Sequence, residues 1–162
     1  MTKLNEFFLK DILKKKVFNE QGEYVGILDD LYVITSEEHS RVIGFKIKNK
    51  REFFYCEFKD LDVCEDKDGI FLKGINQRET MLVRYSFMLR EDVLNKNLRD
   101  SNTNRIFTVK DLRLQKSCGD ITIVELIVCK KSYEYNSIMG RVMNRMGTLD
   151  KLPCIAQSIA AN

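Results

Sequence analysis

The clearest hydrophobic pattern in the chain runs from Tyr24 to Val33, where apolar and polar positions alternate with a period of about two residues. The alternating apolar set is Val25, Ile27, Leu31 and Val33. Leu28 and Tyr32 fall between them, so the pattern predicts a β-strand with both faces partly covered. Before it we expect a short helical turn that Asp11 opens, a strand that begins within residues 16–19, and a connecting turn at "EQG".

Three further segments of the first half have strand patterns, namely "RVIGFKI", "REFFYCEF" and "LDVCEDKDGIFLKG". The last predicts a hairpin turned at residues 66–69. In "REFFYCEF", alternation puts Phe53 and Tyr55 on one face and Phe54, Cys56 and Phe58 on the other. One of these faces is expected to be core. Because so many short strands would leave a flat sheet with free edges, we expect a small closed or half-closed barrel.

The sequence matches itself at an offset of 81 residues, where "DILKKKVFNEQGEYVGILDDL" from Asp11 aligns without gaps with "DVLNKNLRDSNTNRIFTVKDL" from Asp92. Five of the 21 aligned positions are identical, and apolar positions coincide at Val25 with Ile106 and Leu28 with Val109. Such a pattern is typical of a tandem duplication. We therefore predict a mainly β chain of two tandem small β-barrels with short helices, the first over residues 1–78 and the second over residues 79–162.

Beyond Lys130 the second copy departs from the first, and "SYEYNSIMGRVMNRMG" replaces the strand "REFFYCEF". Apolar residues recur there at helical spacing, which predicts a C-terminal amphipathic helix. The predicted apolar stripe is Tyr135, Ile138, Met139, Val142, Met143 and Met146. Such a helix covers a core or a barrel mouth, with a partner's groove or a membrane surface as alternatives.

The composition, 44% hydrophobic and 31% charged, is that of a soluble globular protein. The N-terminal residues lack the apolar core of a signal peptide, and we expect a cytoplasmic protein without a membrane span. Five cysteines, none in a CxxC pair, predict reduced thiols rather than disulfides or a zinc site. Residues 1–80 hold 14 Lys and Arg against 16 Asp and Glu, whereas residues 81–162 hold 13 against 8. The second half therefore has a net charge of +5, which permits weak binding to an acidic partner.

No catalytic, metal or cofactor motif emerges from the residues. The single histidine, His39, lies in the polar segment "TSEEHS", and "CEDKDG" would place Cys64 and Ile75 where a calcium loop requires acids. Gly22 and Gly26 are followed by no lysine-serine or lysine-threonine pair, which excludes a nucleotide loop. We therefore expect no enzyme, no metal and no cofactor.

The repeat distinguishes between the adjacent carboxylates Asp29 and Asp30, because only one of them recurs in the second copy. Lys110 matches Asp29, whereas Asp111 matches Asp30. We therefore predict Asp30 to be a structural carboxylate that accepts hydrogen bonds from a turn or pairs with a lysine such as Lys15 or Lys96. The full set of predicted structural carboxylates is Asp11, Asp30, Asp92 and Asp111.

The segment "FLKDILKKKVFNEQGEYVGILDDLYVI", with "RVIGFKIK" and "FYCEFKDLDV", resembles the PRC-barrel module of the photosynthetic reaction centre H subunit and of a ribosome-maturation factor. The segment "MLREDVLNKNLRDSNTNRIFTVKDLRL" looks like the second barrel of bacterial PRC-barrel pairs linked to magnesium-transporter-like proteins. The family often has glycine where this chain has Lys14 and Asn95. The resemblance implies an interaction or regulatory module rather than a catalyst.

Our first functional hypothesis is a cytoplasmic adaptor that binds a protein partner, with a link to a membrane ion transporter or a homodimer as further expectations. The candidate interaction surface comprises Phe53, Tyr55, Arg99, Arg105, Arg113, Met139 and Met143. The alternative is ribosome or RNA binding through a basic stripe. That stripe would comprise Arg84, Arg90, Arg99, Arg105 and Arg113.

Overall fold

The computed structural model describes residues 1–34, 41–82, 86–99, 106–128 and 131–134. These residues are mainly β, as the sequence predicts, with one α-helical turn, α1 (Leu9–Ile12), and one π-helical turn (Leu89–Val93). The strands before residue 80 are β1 (Thr2–Leu4), β2 (Glu6–Phe8), β3 (Lys16–Phe18), β4 (Tyr24–Ile34), β5 (Val42–Asn49), β6 (Glu52–Glu57), β7 (Asp60–Asp66), β8 (Gly69–Ile75) and β9 (Arg78–Glu79). The later strands are β10 (Ser86–Met88), β11 (Asn97–Arg99), β12 (Ile106–Ser117), β13 (Asp120–Val128) and β14 (Lys131–Glu134).

The first half of the molecule, residues 1–79, forms a sheet in the order β1-β7-β8-β3-β4-β5-β6-β9. The long predicted strand is β4, and a bulge between Leu28 and Asp30 turns both of these side chains into the interior. The predicted hairpin is also present, because Asp66 pairs with Gly69 and its Oδ1 accepts the Asp68 amide at 2.8 Å. The helical turn begins at Leu9 rather than at Asp11, which was the expected start.

The second half, residues 86–134, forms a smaller sheet in the order β11-β12-β13-β14. Residues 132–134 belong to β14, which pairs with β13, so the predicted helix is wrong for these three residues. The apolar stripe predicted from Tyr135 onward lies outside the described residues. The described residues contain no closed barrel, because the strand paths end at β1 and β9 in one sheet and at β11 and β14 in the other.

The two halves exchange their leading strands. Strand β2 of the first half pairs with β12, and Phe7 lies opposite Leu114. Strand β10 of the second half pairs with β4, and Phe87 lies opposite Val33. Each half therefore completes the sheet of the other.

Segments 81 residues apart also make the same backbone hydrogen bonds. The Lys14 amide donates to Leu28 and the Asn95 amide donates to Val109, each at 2.7 Å. Both donors have a positive φ, 68° for Lys14 and 61° for Asn95, a conformation that glycine adopts most easily.

The offset is only 80 residues before the helical turns, where Phe7 corresponds to Phe87. The turn at Leu89 has the wider π-helical ring, closed by the Leu94 amide on the Leu89 carbonyl. That ring accommodates the additional residue of the second half.

One hydrophobic core runs through both halves. Its fully buried members include Leu9, Ile12 and Leu31 of the first half and Leu89 and Leu112 of the second. Outside the core, Lys116 of β12 contacts Asp60 and Asp62 of β7, each at 2.5 Å. Burial alone would raise the pKa of Asp62, but the bonds from Lys116 and Lys3 lower it below its usual value. The halves are thus joined by strands, core and ion pairs together.

Candidate functional site

Four carboxylates bind backbone amides at equivalent places in the two halves, and Asp30 is the most buried of them. Its side chain has no exposed surface and lies at the β4 bulge. Its Oδ1 accepts the amides of Leu31 at 2.8 Å and of Arg90 at 2.7 Å, and its Oδ2 accepts the amide of Glu91 at 3.0 Å. Asp30 therefore binds the first turn of the π-helical segment of the other half.

Asp111 makes the reciprocal contact. Its Oδ1 accepts the amides of Leu112 at 2.8 Å and of Lys10 at 3.1 Å, and Lys10 lies in α1 of the first half. Burial raises the pKa of Asp30 to about 6, and it raises the pKa of Asp111 as well. The ion-pair partner of Asp30 is Arg90, at 4.0 Å, rather than Lys15 or Lys96.

The other two predicted structural carboxylates act within their own halves. Asp11 accepts the Phe8 amide at 3.1 Å, and Asp92 accepts the Met88 amide at 2.8 Å. Each carboxylate binds an amide at the start of its own helical turn. These four carboxylates therefore act as acceptors for backbone amides near the two helical turns.

Asp29 connects Asp30 to the surface. Arg90 donates its Nε to the Asp29 carbonyl at 2.8 Å and its Nη2 to Asp29 Oδ2 at 3.1 Å, and Lys46 lies 3.7 Å from the same oxygen. Lys46 also lies over the ring of Phe53, with its Nζ 4.7 Å from the ring centroid. A continuous row of contacts thus leads from the buried junction to an exposed aromatic ring.

Phe53 belongs to the predicted interaction residues, and the structure places it on the outer face of β6. Its side chain is 49% exposed, and Lys48 Nζ lies 5.6 Å from its centroid on the neighbouring strand. We call Lys46, Lys48 and Phe53 the Phe53 surface. Phe54 and Phe58 pack against the core on the other face, where Cys56 is fully buried.

Two further predicted interaction residues, Tyr55 and Arg113, are described by the structure and make other contacts. Tyr55 packs edge-to-face against Tyr32, with centroids 6.0 Å apart. Arg113 pairs with Glu125 at 2.7 Å and with Glu6 at 3.1 Å, and the bond to Glu125 raises its pKa. The positions that lie outside the described residues or side chains are Arg84, Arg99, Arg105, Met139 and Met143.

The sequence pattern did not identify Lys46 and Lys48 as members of this surface, although these two lysines alternate with apolar residues along β5. Their placement over Phe53 depends on the β5-β6 register, in which Lys48 lies opposite Phe53. The sequence alone does not specify that register.

Among the described residues, no three His, Cys, Asp or Glu side chains are grouped closely enough to bind a metal ion. Three of the five cysteines are described and all are free, with Cys56 and Cys64 buried and Cys118 exposed. Burial raises the pKa of Cys56 to about 12, so its thiol stays protonated near neutral pH. No helix within the described ranges is long and apolar enough to cross a membrane.

The two β-sheets share one hydrophobic core and are joined by the contacts of Asp30 and Asp111. Residues 4–77 match the sequence model of the PRC-barrel domain, so the first half of the chain contains a PRC-barrel domain. The predicted membership of the PRC-barrel family is confirmed for residues 4–77. No curated protein matches the chain.

Proposed function

We propose that this protein is a non-catalytic interaction module that binds a protein partner through the Phe53 surface. The observation that carries the proposal is an aromatic side chain left 49% exposed on a strand whose opposite face builds the core. A PRC-barrel domain fits a small interaction module of this kind. Aromatic residues, phenylalanine among them, are enriched in protein interfaces relative to the rest of the surface.

The second half is proposed to be a divergent copy of the same module. Support comes from the equivalent hydrogen bonds of Lys14 and Asn95 and from the reciprocal roles of Asp30 and Asp111. We further propose a cytoplasmic location, because the free thiols of described cysteines suit a reducing compartment. The resemblance to transporter-linked PRC-barrel pairs makes transporter-associated proteins the first class of partner to test.

RNA binding has less support. Two of the five arginines assigned to the basic stripe, Arg90 and Arg113, are engaged by carboxylates of Asp29, Glu6 and Glu125. Phosphate binding at these positions would have to compete with existing ion pairs.

The test is affinity capture from native cytoplasm with the tagged wild-type chain, the Phe53→Ala variant and an Ile106→Ala control. Ile106 is 66% exposed and lies in the second half, so its removal matches the loss of exposed apolar surface at a different place. We expect a partner that the wild type and the control retain and that Phe53→Ala binds at least about ten-fold more weakly. Equal capture by all three chains would remove the Phe53 surface from the proposal.

A further inference from the structure

A second surface of the first half combines lysines with aromatic rings in a cleft of about 660 Å³. Pockets that hold small molecules commonly have volumes of this order. The cleft lies between the turn after α1, the strands β3 and β8, and the β7-β8 turn. Its lysines and rings are Lys14, Lys15, Lys16, Lys73, Phe18 and Phe71.

Strand geometry places cations and rings on the same outer face. Alternation puts Lys16 and Phe18 together on β3, while Val17 between them is buried. In the parallel ladder between β3 and β8, Phe18 lies opposite Lys73. This face of the sheet thus carries Phe18 with Lys16 and Lys73 at neighbouring positions.

The rings form an ordered cluster. Phe18 makes edge-to-face contacts with Phe71, at a centroid distance of 6.0 Å, and with Tyr24, at 6.1 Å. Tyr24 is 48% exposed. The cluster offers aromatic surface of the kind on which planar ligands stack.

The lysines of the cleft have no acidic partner within 4.0 Å among the described residues, in contrast to Lys46 and Lys116. Asp66 and Asp68 also line the cleft, at the hairpin turn, and Asp66 Oδ1 is engaged by the Asp68 amide. Four cations face two carboxylates, so the cleft has a net positive charge that favours an anion.

We propose that this cleft binds a small organic anion with a planar aromatic ring, of the nucleoside phosphate class. The ring would contact the Phe18 and Phe71 cluster, and the phosphates would contact Lys16 and Lys73. No phosphate-binding backbone loop takes part, so the binding would rest on side chains alone and weaken steeply with salt.

The test is calorimetric titration of the full chain at low salt with three probes: ATP, adenosine and inorganic tripolyphosphate. Wild type is expected to bind ATP at least ten-fold more tightly than either of the other probes, since only ATP carries both parts. The double variant Lys16→Gln/Lys73→Gln should lose at least ten-fold in ATP affinity. Lys59→Gln is the matched control, because Lys59 is exposed and does not line the cleft.

Absence of ATP binding, or unchanged binding by the double variant, would overturn the proposal. Equal affinity for tripolyphosphate and ATP would also overturn it, because the rings would then contribute nothing. Thermal unfolding of all variants shows whether the fold is kept. A second variant, Phe18→Leu, keeps apolar volume but removes the ring. It should lower the affinity for ATP more than the affinity for tripolyphosphate. These outcomes are independent of the Phe53 surface.

Discussion

The two halves of the molecule fill one backbone position with opposite chemistry. In the first half, Tyr32 of β4 lies opposite Gly44 of β5, and the tyrosine is only 1% exposed. In the second half, 81 residues later, Arg113 lies opposite Glu125 and forms an ion pair with it at 2.7 Å. The same ladder position thus holds a buried ring over a glycine in one half and a partly exposed ion pair in the other.

At this position the two halves share the backbone ladder but not the side-chain packing. The bulge of β4 between Leu28 and Asp30 recurs in β12 between Val109 and Asp111. The carboxylate after each bulge contacts the other half. The halves therefore have the junction in common, whereas the ladder position of Tyr32 and Arg113 differs between them.

The largest expected effect comes from removing the junction carboxylate. Asp30→Ala would leave the amides of Leu31, Arg90 and Glu91 without their acceptor, and we expect a loss of about 3 kcal/mol in the free energy of unfolding. Asp111→Ala affects only the amides of Leu112 and Lys10 and is expected to cost about half as much. Urea denaturation of both variants measures the difference. Equal losses would mean that the two contacts are energetically symmetric despite their different burial.

A smaller effect is expected at the position that distinguishes the halves. A Cβ added to Gly44 would lie 2.0 Å from Cζ of Tyr32, so Gly44→Ala forces the ring to move and should cost about 2 kcal/mol. Glu125→Ala at the equivalent position breaks a partly exposed ion pair with Arg113, and loss of that pair should cost about 0.5 kcal/mol. Urea denaturation of the Gly44→Ala and Glu125→Ala variants measures the two losses of stability. A Gly44→Ala variant as stable as the wild type would show that Tyr32 has another site to occupy.

Sequence patterns predicted those parts of the fold that depend on neighbours in the chain. Alternation from Tyr24 predicted β4, and "CEDKDG" predicted the turn between β7 and β8. The exchange of β2 and β10 was not predicted, because three-residue strands carry no detectable period and their partners are more than 50 residues away.

Sequence patterns also predicted only part of the candidate functional site. Alternation separated the exposed Phe53 from the core-facing Cys56, but it did not reveal the lysines on the next strand. The repeated aspartate-leucine pair predicted that Asp30 and Asp111 are structural. It did not predict their partners, because each aspartate contacts a helical turn in the other half. Register and packing between distant strands are three-dimensional properties that a one-dimensional pattern does not contain.

The smallest expected contrast between the halves is a difference in how their stability depends on pH. Burial raises the pKa of Asp30 from its ordinary 3.8 to about 6, so the folded chain binds this proton more tightly than the unfolded chain. The stabilisation from that proton is fully present below the unfolded pKa and is lost as the pH rises through about 6. Relative to Asp30→Asn, which does not titrate, the wild type should gain about 1 kcal/mol between pH 7 and pH 5.

In the second half, the variant that corresponds to Asp30→Asn is Asp111→Asn. Burial raises the pKa of Asp111 in the same direction, but this side chain is only partly buried, so the gain on acidification should be smaller than for Asp30. Urea denaturation at pH 7, 6 and 5 gives both differences against the wild type. A difference for Asp30→Asn that stays constant with pH would mean that the three amide hydrogen bonds offset the cost of burial and keep Asp30 ionised. The junction would then be held by a charge on the first half throughout this range, and the contrast between the halves would rest on their side-chain packing alone.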